Sequence, residues 1–388
     1  MKKNTTLLLL IFMILPLITG GAESQVLSEM ELYNTIYRGE DEWYYLGSGN
    51  AALTFRSARD PHVIGQTEIE FYPLDMTNAP VSSVPTLQVK KAYVKTRLPG
   101  FKLTLGKTRL AWGEGVVFNA ADVVFGSLNP VLDLTQTELR SDTAWLTAVN
   151  VPLGNFAFLE GVVLPPALDY ERGEVSSLTS SSIGGRAYFL AGGIKVEGGY
   201  LYKGETKVQA DALGHRPYIS LQGNFGPDWY LSSSLAIPTD EQKQSQNASG
   251  DWEKSWIFSF GLFHMQEINR NNTLNLRLET LWFPYQNWEK KELRDTIYGV
   301  YLYPEITWTT ASSTFYSLQS VISPLDASAM ITGGAGWNIY QGFFLLGYCT
   351  FLAGDETSTF SWDRGEAWDP LQDRVNGFSL MTGIRYNY

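Results

Sequence analysis

The chain is expected to fold as an all-β protein, a transmembrane antiparallel up-and-down β-barrel of 16 to 18 strands, with 18 favoured. Three observations predict it: apolar and polar residues alternate with a period of two, short and long joints succeed one another regularly, and no apolar run of 18 or more residues follows the N-terminal leader. A strand that meets lipid on one face and water on the other requires that alternation. The last stretch of the chain carries it to the end, with Phe378, Leu380, Thr382, Ile384, Tyr386 and Tyr388 on one side and Ser379, Met381, Gly383, Arg385 and Asn387 on the other.

The elements follow in order. Lys2 and Lys3 precede an apolar run over 7–17 and the small residues Gly20, Gly21 and Ala22, the pattern of a secretory signal cleaved after Ala22. Residues 1–22 are therefore expected to be removed, leaving 23–388 as a single barrel domain; the run is too short for a stable anchor, and no Cys near the cleavage site offers a lipid tether. A first strand near 29–38 is followed by 48–58 and 62–74, paired through Asp60-Pro61. Further pairs are 86–98 with 100–109, 143–152 with 155–164, 182–190 with 193–202, 215–224 with 228–237, 253–265 with 272–283, and 297–307 with 312–321. Pro99-Gly100, Gly154-Asn155, Gly192-Gly193 and Gly226-Pro227-Asp228 supply turn chemistry at the short joints. The long joints are 110–142, 165–181, 203–214, 238–252 and 284–296. Strands 327–337, 342–353 and 375–388 complete the series, with 354–374 as the last long loop.

Short turns at one rim and long loops at the other are what a membrane barrel produces, whereas Greek-key crossings of a soluble sandwich give no such alternation. An even strand number brings both ends of the chain to the short-turn, periplasmic side. In 273–280, Leu274, Leu276 and Leu278 alternate with Asn275, Arg277 and Glu279. An Arg at the bilayer midplane costs roughly 2–4 kcal/mol, so those polar side chains are expected to face a wet lumen.

Composition agrees. Aromatic residues make up 14% of the chain and Gly numbers 36, which suits interfacial girdles and tight turns. Loss of the leader leaves 27 basic against 40 acidic side chains, an acidic balance that gives no support for nucleic-acid binding. Cys349 is the single cysteine and has no internal partner. His62, His215 and His264 lack metal-ligand spacing, and no nucleophile elbow, P-loop or dinucleotide fingerprint occurs, so neither metal, cofactor nor enzymatic activity is expected. His215 is the residue around which a lipid-hydrolase triad would have to be built. The aromatic and acidic loop 359–374 reads as solvated surface.

The local anomaly is 86–113, which holds Lys90, Lys91, Lys95, Arg97, Lys102, Lys107 and Arg109 and no acid. On two adjacent strands these form a basic wall of the lumen, faced by Glu68 and Glu70 of the neighbouring strand, and so select among charged solutes. The competing reading sets some of them at the rims, snorkelling to water. Lys90-Lys91 breaks the alternation and marks a bulge or a reversed side chain.

Directly after it comes Gly106-Lys107-Thr108-Arg109-Leu110-Ala111-Trp112-Gly113-Glu114-Gly115-Val116-Val117-Phe118-Asn119-Ala120-Ala121-Asp122. This string resembles a segment of poorly characterised Gram-negative outer-membrane porin-like barrels, in which an early strand ends in a basic residue and continues as Trp-Gly-x-Gly, then Phe-Asn-Pro and an acid; Ala120 stands at the Pro. The resemblance implies an outer-membrane channel. The terminal strand likewise resembles the signal read by the barrel assembly machinery, which would assign that role to Phe378, Leu380, Ile384, Tyr386 and Tyr388.

The joint 110–142 is apolar and Gly-rich at its start, costly for a loop in water. One reading folds it into the lumen as a constriction anchored by Trp112 and Phe118, with Asn119, Asp122 and Arg109 along the opening; the other extends 115–125 as strand at the outer rim. The function expected from all this is passive diffusion of small hydrophilic solutes, anions among them, through a barrel bounded by outer-membrane lipid. A transporter of hydrophobic compounds is the alternative. No feature bears on oligomeric state.

Overall fold

The computed structural model describes residues 24–38, 43–57, 60–72, 86–126, 128–132, 134–135, 139, 142–166, 180–204, 214–239, 252–291, 296–362 and 377–387. The leader 1–22, most of the 359–374 loop and Tyr388 lie outside that set.

Eighteen strands form one closed antiparallel sheet: β1 (Gln25–Arg38), β2 (Trp43–Arg56), β3 (Val63–Tyr72), β4 (Thr86–Leu98), β5 (Phe101–Thr108), β6 (Ala144–Pro152), β7 (Ala157–Leu164), β8 (Ser182–Ala191), β9 (Ile194–Lys203), β10 (Gly214–Asn224), β11 (Asp228–Ser234), β12 (Ile257–Asn269), β13 (Asn272–Trp282), β14 (Val300–Thr309), β15 (Phe315–Ser323), β16 (Ser328–Tyr340), β17 (Phe343–Ala353) and β18 (Phe378–Asn387). Each strand pairs with its sequence neighbours, and β1 closes the ring on β18 from Glu29↔Asn387 to Tyr37↔Ser379. Among the described residues the one helical turn is the 3-10 segment Trp252–Ser255. Among the described residues no helix is long and apolar enough to cross a membrane.

The two faces separate as the alternation requires. Leu278, Ile306, Leu318, Ile331, Leu345 and Leu380 point outward and are exposed, while Glu279, Tyr303, Val321, Thr332, Leu346 and Met381 on the same strands point inward and are buried. Outward aromatic residues stack near the strand ends, as in Phe258 on Trp282, with ring centres 5.2 Å apart. At the short-turn rim Trp308 stacks on Tyr316 at 5.5 Å. Rings with one polar edge suit both membrane–water boundaries.

Several strands differ in extent from the sequence-based expectation. β1 and β2 run longer: β1 begins at Gln25 rather than near 29, and β2 at Trp43 rather than 48, with Trp43 to Gly47 paired to Arg38 to Asn34. Gly49 lets Leu32 lie close across the pair: a Cβ would come within 2.6 Å of Leu32 Cδ2 and 3.0 Å of the Glu31 carbonyl oxygen. The strand placed at 253–265 instead begins at Ile257, because Trp252–Ser255 closes into a 3-10 turn whose Ser255 Oγ accepts the Ala236 amide at 2.9 Å. Between β3 and β4 the register shifts after Glu68, so that Glu68 faces Lys91 and Ile69 faces Val89. Lys90 is the extra residue of this bulge, which accounts for the broken alternation at Lys90-Lys91.

Candidate functional site

After β5 the chain forms no strand over 109–126 but turns back against inward-facing side chains of β7 to β14. Trp112 is fully buried. Its Nε1 donates to Glu160 on β7 at 3.0 Å, and its ring stacks on Tyr218 of β10 with centres 5.5 Å apart. Arg186 of β8 ties this anchor together, pairing with Glu160 at 2.8 Å and Glu197 of β9 at 3.0 Å and donating to the Ala111 carbonyl at 2.9 Å. Glu197 in turn accepts the Gly113 amide at 2.8 Å and the Tyr218 hydroxyl at 2.6 Å. Two half-buried carboxylates sharing one guanidinium are tolerable because each also accepts further hydrogen bonds, Glu160 from Trp112 and Glu197 from Gly113 and Tyr218.

The second anchor is Glu279 of β13, only 1% exposed. Its carboxylate accepts three consecutive amides, Val116 at 2.9 Å, Val117 at 2.8 Å and Phe118 at 2.7 Å. Successive amides turned the same way make a concavity for an anion, here filled by a side chain of the opposite wall. Gly115 permits this turn: at φ +119 it packs so tightly that a Cβ would lie 2.5 Å from the Phe118 carbonyl oxygen. That carbonyl accepts the Tyr230 hydroxyl of β11 at 2.8 Å, and the Ala120 amide donates to Ser259 Oγ of β12 at 2.9 Å.

Asn119 and Asp122 pin the segment to itself. Asn119 Nδ2 donates to the Trp112 carbonyl at 2.9 Å and its Oδ1 accepts the Ala121 amide at 3.0 Å. Asp122 pairs with Arg109 at 2.5 Å and accepts the Phe125 amide at 3.3 Å, while the Arg109 guanidinium lies 4.7 Å from the Phe125 ring centre. Both Asn119 and Asp122 are buried, so their polar atoms are spent on the turn.

Two apolar clusters lie between segment and wall. Trp112, Ala121, Val123 and Val124 pack on Leu146, Ala148, Val162 and Leu201, inward residues of β6, β7 and β9. Val117, Phe118 and Leu134 pack with Leu281, Tyr301, Tyr303, Val321, Met330 and Leu352 of β13 to β17. These inward apolar residues, together with Glu160, Arg186 and Glu197, were missed by sequence reasoning, and Glu279, expected to face a wet lumen, is instead buried under the segment. The signal was present: a Leu or Val at an inward position of a water-filled barrel needs something dry above it.

The opposite wall, β1 to β5, is charged. Glu68 and Glu70 are buried under lysines, with Lys90 2.6 Å from Glu70 and Lys91 3.1 Å from Glu68. Tyr93 donates to Gln66 at 3.0 Å, and the Lys95 ammonium lies 4.8 Å from the Tyr93 ring centre. Register sets Lys95 opposite Thr104 and Arg97 opposite Lys102, on the face of Tyr93 and toward the short-turn end. All three cations are exposed. Lys107 stands apart: it pairs in register with Ala92 and with the outward Trp145, and its Nζ donates to the Val89 carbonyl at the bulge, 2.7 Å away. Glu114, exposed on the segment, lies in electrostatic range of Arg186, Lys195 and Glu197 of β8 and β9; lost hydration pushes its carboxyl up, against the pull of Lys195.

Along the seam, Phe378, Leu380, Ile384 and Tyr386 occupy the outward face of β18, and inward Arg385 pairs with Glu31 at 2.5 Å. His215 faces outward, its Nδ1 2.5 Å from the Tyr200 hydroxyl and its ring beside Tyr202. Among the described residues no cluster of His, Cys, Asp and Glu has the makings of a metal site.

No protein-family model and no curated protein sequence matches the chain. Solved structures do. It is similar to Wzi, an outer-membrane protein of Escherichia coli involved in group 1 capsule assembly and described as a carbohydrate-binding β-barrel, with a TM-score of 0.57 and 11% identity over 97% of this chain and 87% of that one. A double variant of OccD1 (OprD) gives a TM-score of 0.51 at 10% identity, covering 95% and 97% of the two chains. OmpF of Salmonella typhi, in complex with daunomycin, gives 0.50 at 10% identity over 95% and 98%. At such identities the likeness is one of fold.

Proposed function

We propose that this protein is an outer-membrane channel for passive diffusion of small hydrophilic solutes, anions among them, exported by the cleaved leader 1–22 and inserted through recognition of its terminal strand by the barrel assembly machinery. One observation carries the reading. The segment 110–125 is bound to β6–β14, whereas β1–β5 keeps charged and hydroxyl side chains on its inward face, so a wet path runs between the two. The segment is the constriction, with Trp112 and Phe118 as its anchors and Asn119 and Asp122 holding its shape. Lys95, Arg97 and Lys102 at the short-turn end then set the sign of the field that a solute meets on that side.

Planar-bilayer recordings test this. The barrel should give steady conductance, and the K95Q/R97Q/K102Q triple variant should shift the reversal potential in a salt gradient toward cations. A closed barrel refutes the channel; an unchanged reversal potential refutes the basic mouth.

A transporter of apolar compounds draws on the two apolar clusters, but their central residues, Phe118 and Leu281 among them, are already buried by the segment. An apolar ligand would have to displace it.

A further inference from the structure

We infer that the lumen holds an oxyanion-binding subsite on the long-loop side of segment 110–125, formed by Arg216 of β10 and Lys203 of β9. Register places Lys203 opposite Gly214, two residues from Arg216 on the same strand face. Both side chains share the inward face with Leu201 and Tyr218, and diagonal neighbours of this kind lie within reach of one another. Two cations are thus set side by side near the long-loop end of the wall.

Among the described residues, what lies around them does not balance their charge. Arg216 Nε is buried and has no hydrogen-bond partner, and among the described residues neither Arg216 nor Lys203 has an ion pair. The carboxylate in electrostatic range of Lys203 is Asp122. It is already bound to Arg109 at 2.5 Å and to the Phe125 amide. Lys203 therefore lies between a second cation, Arg216, and a carboxylate already engaged by Arg109. Like charges held together with a guanidinium donor left bare are costly unless an anion joins them. A planar guanidinium beside an ammonium matches the oxygens of a carboxylate or phosphate group.

The subsite rests on reading the lumen as a solute path, and it gives that path a ligand class: small solutes bearing a carboxylate or phosphate, held briefly before they pass the constriction. Lys95, Arg97 and Lys102 lie at the other end, so anions would meet one basic station on each side of the segment.

The test uses the full-length barrel in detergent for calorimetry and in planar bilayers for conductance, with inorganic phosphate and acetate as probes. Phosphate added on the long-loop side should bind and reduce the current, and R216Q or K203Q should each weaken binding about ten-fold, the loss of one charge-assisted contact. R216K should retain most of the affinity, and K203Q carries the test if R216Q does not fold. A stronger response to acetate than to phosphate would assign the site to carboxylates. No binding by the native barrel, or equal binding by R216Q and K203Q, overturns the subsite. If current flows but ignores phosphate, the subsite falls and the channel stands. If calorimetry shows variant-sensitive binding and no current flows, the channel falls and the subsite stands.

Discussion

The two halves of the barrel wall obey the same alternation but use it for opposite ends. On β1–β5 the inward face is wet: Glu68, Glu70, Lys90, Lys91, Gln66 and Tyr93 satisfy one another and leave Lys95, Arg97 and Lys102 exposed. On β6–β17 the inward face carries Leu146, Val162, Leu201, Leu281, Val321 and Leu352, which are covered by the segment that follows β5. The difference teaches that a period of two fixes which residues share a face but not what that face meets. Polar inward faces can hold water; apolar ones need a guest, and this chain supplies its own.

The sharpest way to break that contrast is at Glu279. In E279L three neighbouring amides lose their acceptor in a buried place, a cost on the order of 3–5 kcal/mol. Single-channel conductance should rise and residues 110–125 should become open to protease in the folded barrel; protection and conductance equal to the native protein would mean that Glu279 does not hold the segment. W112A should follow, removing a fully buried ring at a cost of about 3–5 kcal/mol, eased by the freedom of the loop to reseat. Its mark is a lower unfolding midpoint of the barrel with normal strand content by circular dichroism. The K95Q/R97Q/K102Q variant acts on the other wall and should change selectivity while leaving stability within about 1 kcal/mol, since all three charges are exposed.

The smallest expected effect is the pH response of Glu114. Its carboxyl is raised by lost hydration, so it takes up its proton at higher pH than an ordinary carboxylate, and its ionised form is the one the fold disfavours. As pH falls toward the ordinary carboxylate range, this negative charge leaves the lumen before the others and permeability should move toward anions. E114Q should flatten that part of the titration; an identical pH profile would show that Glu114 does not face the path.

Legibility differed from place to place for physical reasons. All eighteen strands could be read because lipid on one side and turn residues at the short joints write local patterns. Boundaries slipped where a pattern was ambiguous: 43–47 reads as the joint between two strands but lies in β2, because Trp43 to Gly47 pair with Arg38 to Asn34 of β1. Trp112 and Phe118 stood out as aromatic residues in a loop. Their partners did not, since Glu160, Arg186, Glu197 and Glu279 are single charges on four different strands, brought together only by closure of the ring.

By itself, then, the sequence determined the all-β class, the strand succession, the alternation of faces and the cluster of positive charge in 86–113, because each depends on neighbours within a few residues. Only the tertiary structure decided that the apolar stretch after β5 lies against β6–β14, that Lys107 stands apart from Lys95, Arg97 and Lys102, and that Lys203 and Arg216 meet near Asp122. Those facts depend on the closing of β1 onto β18 and on the bulge at Glu68, which set which residues face each other across the lumen. No local pattern records a distance across a ring.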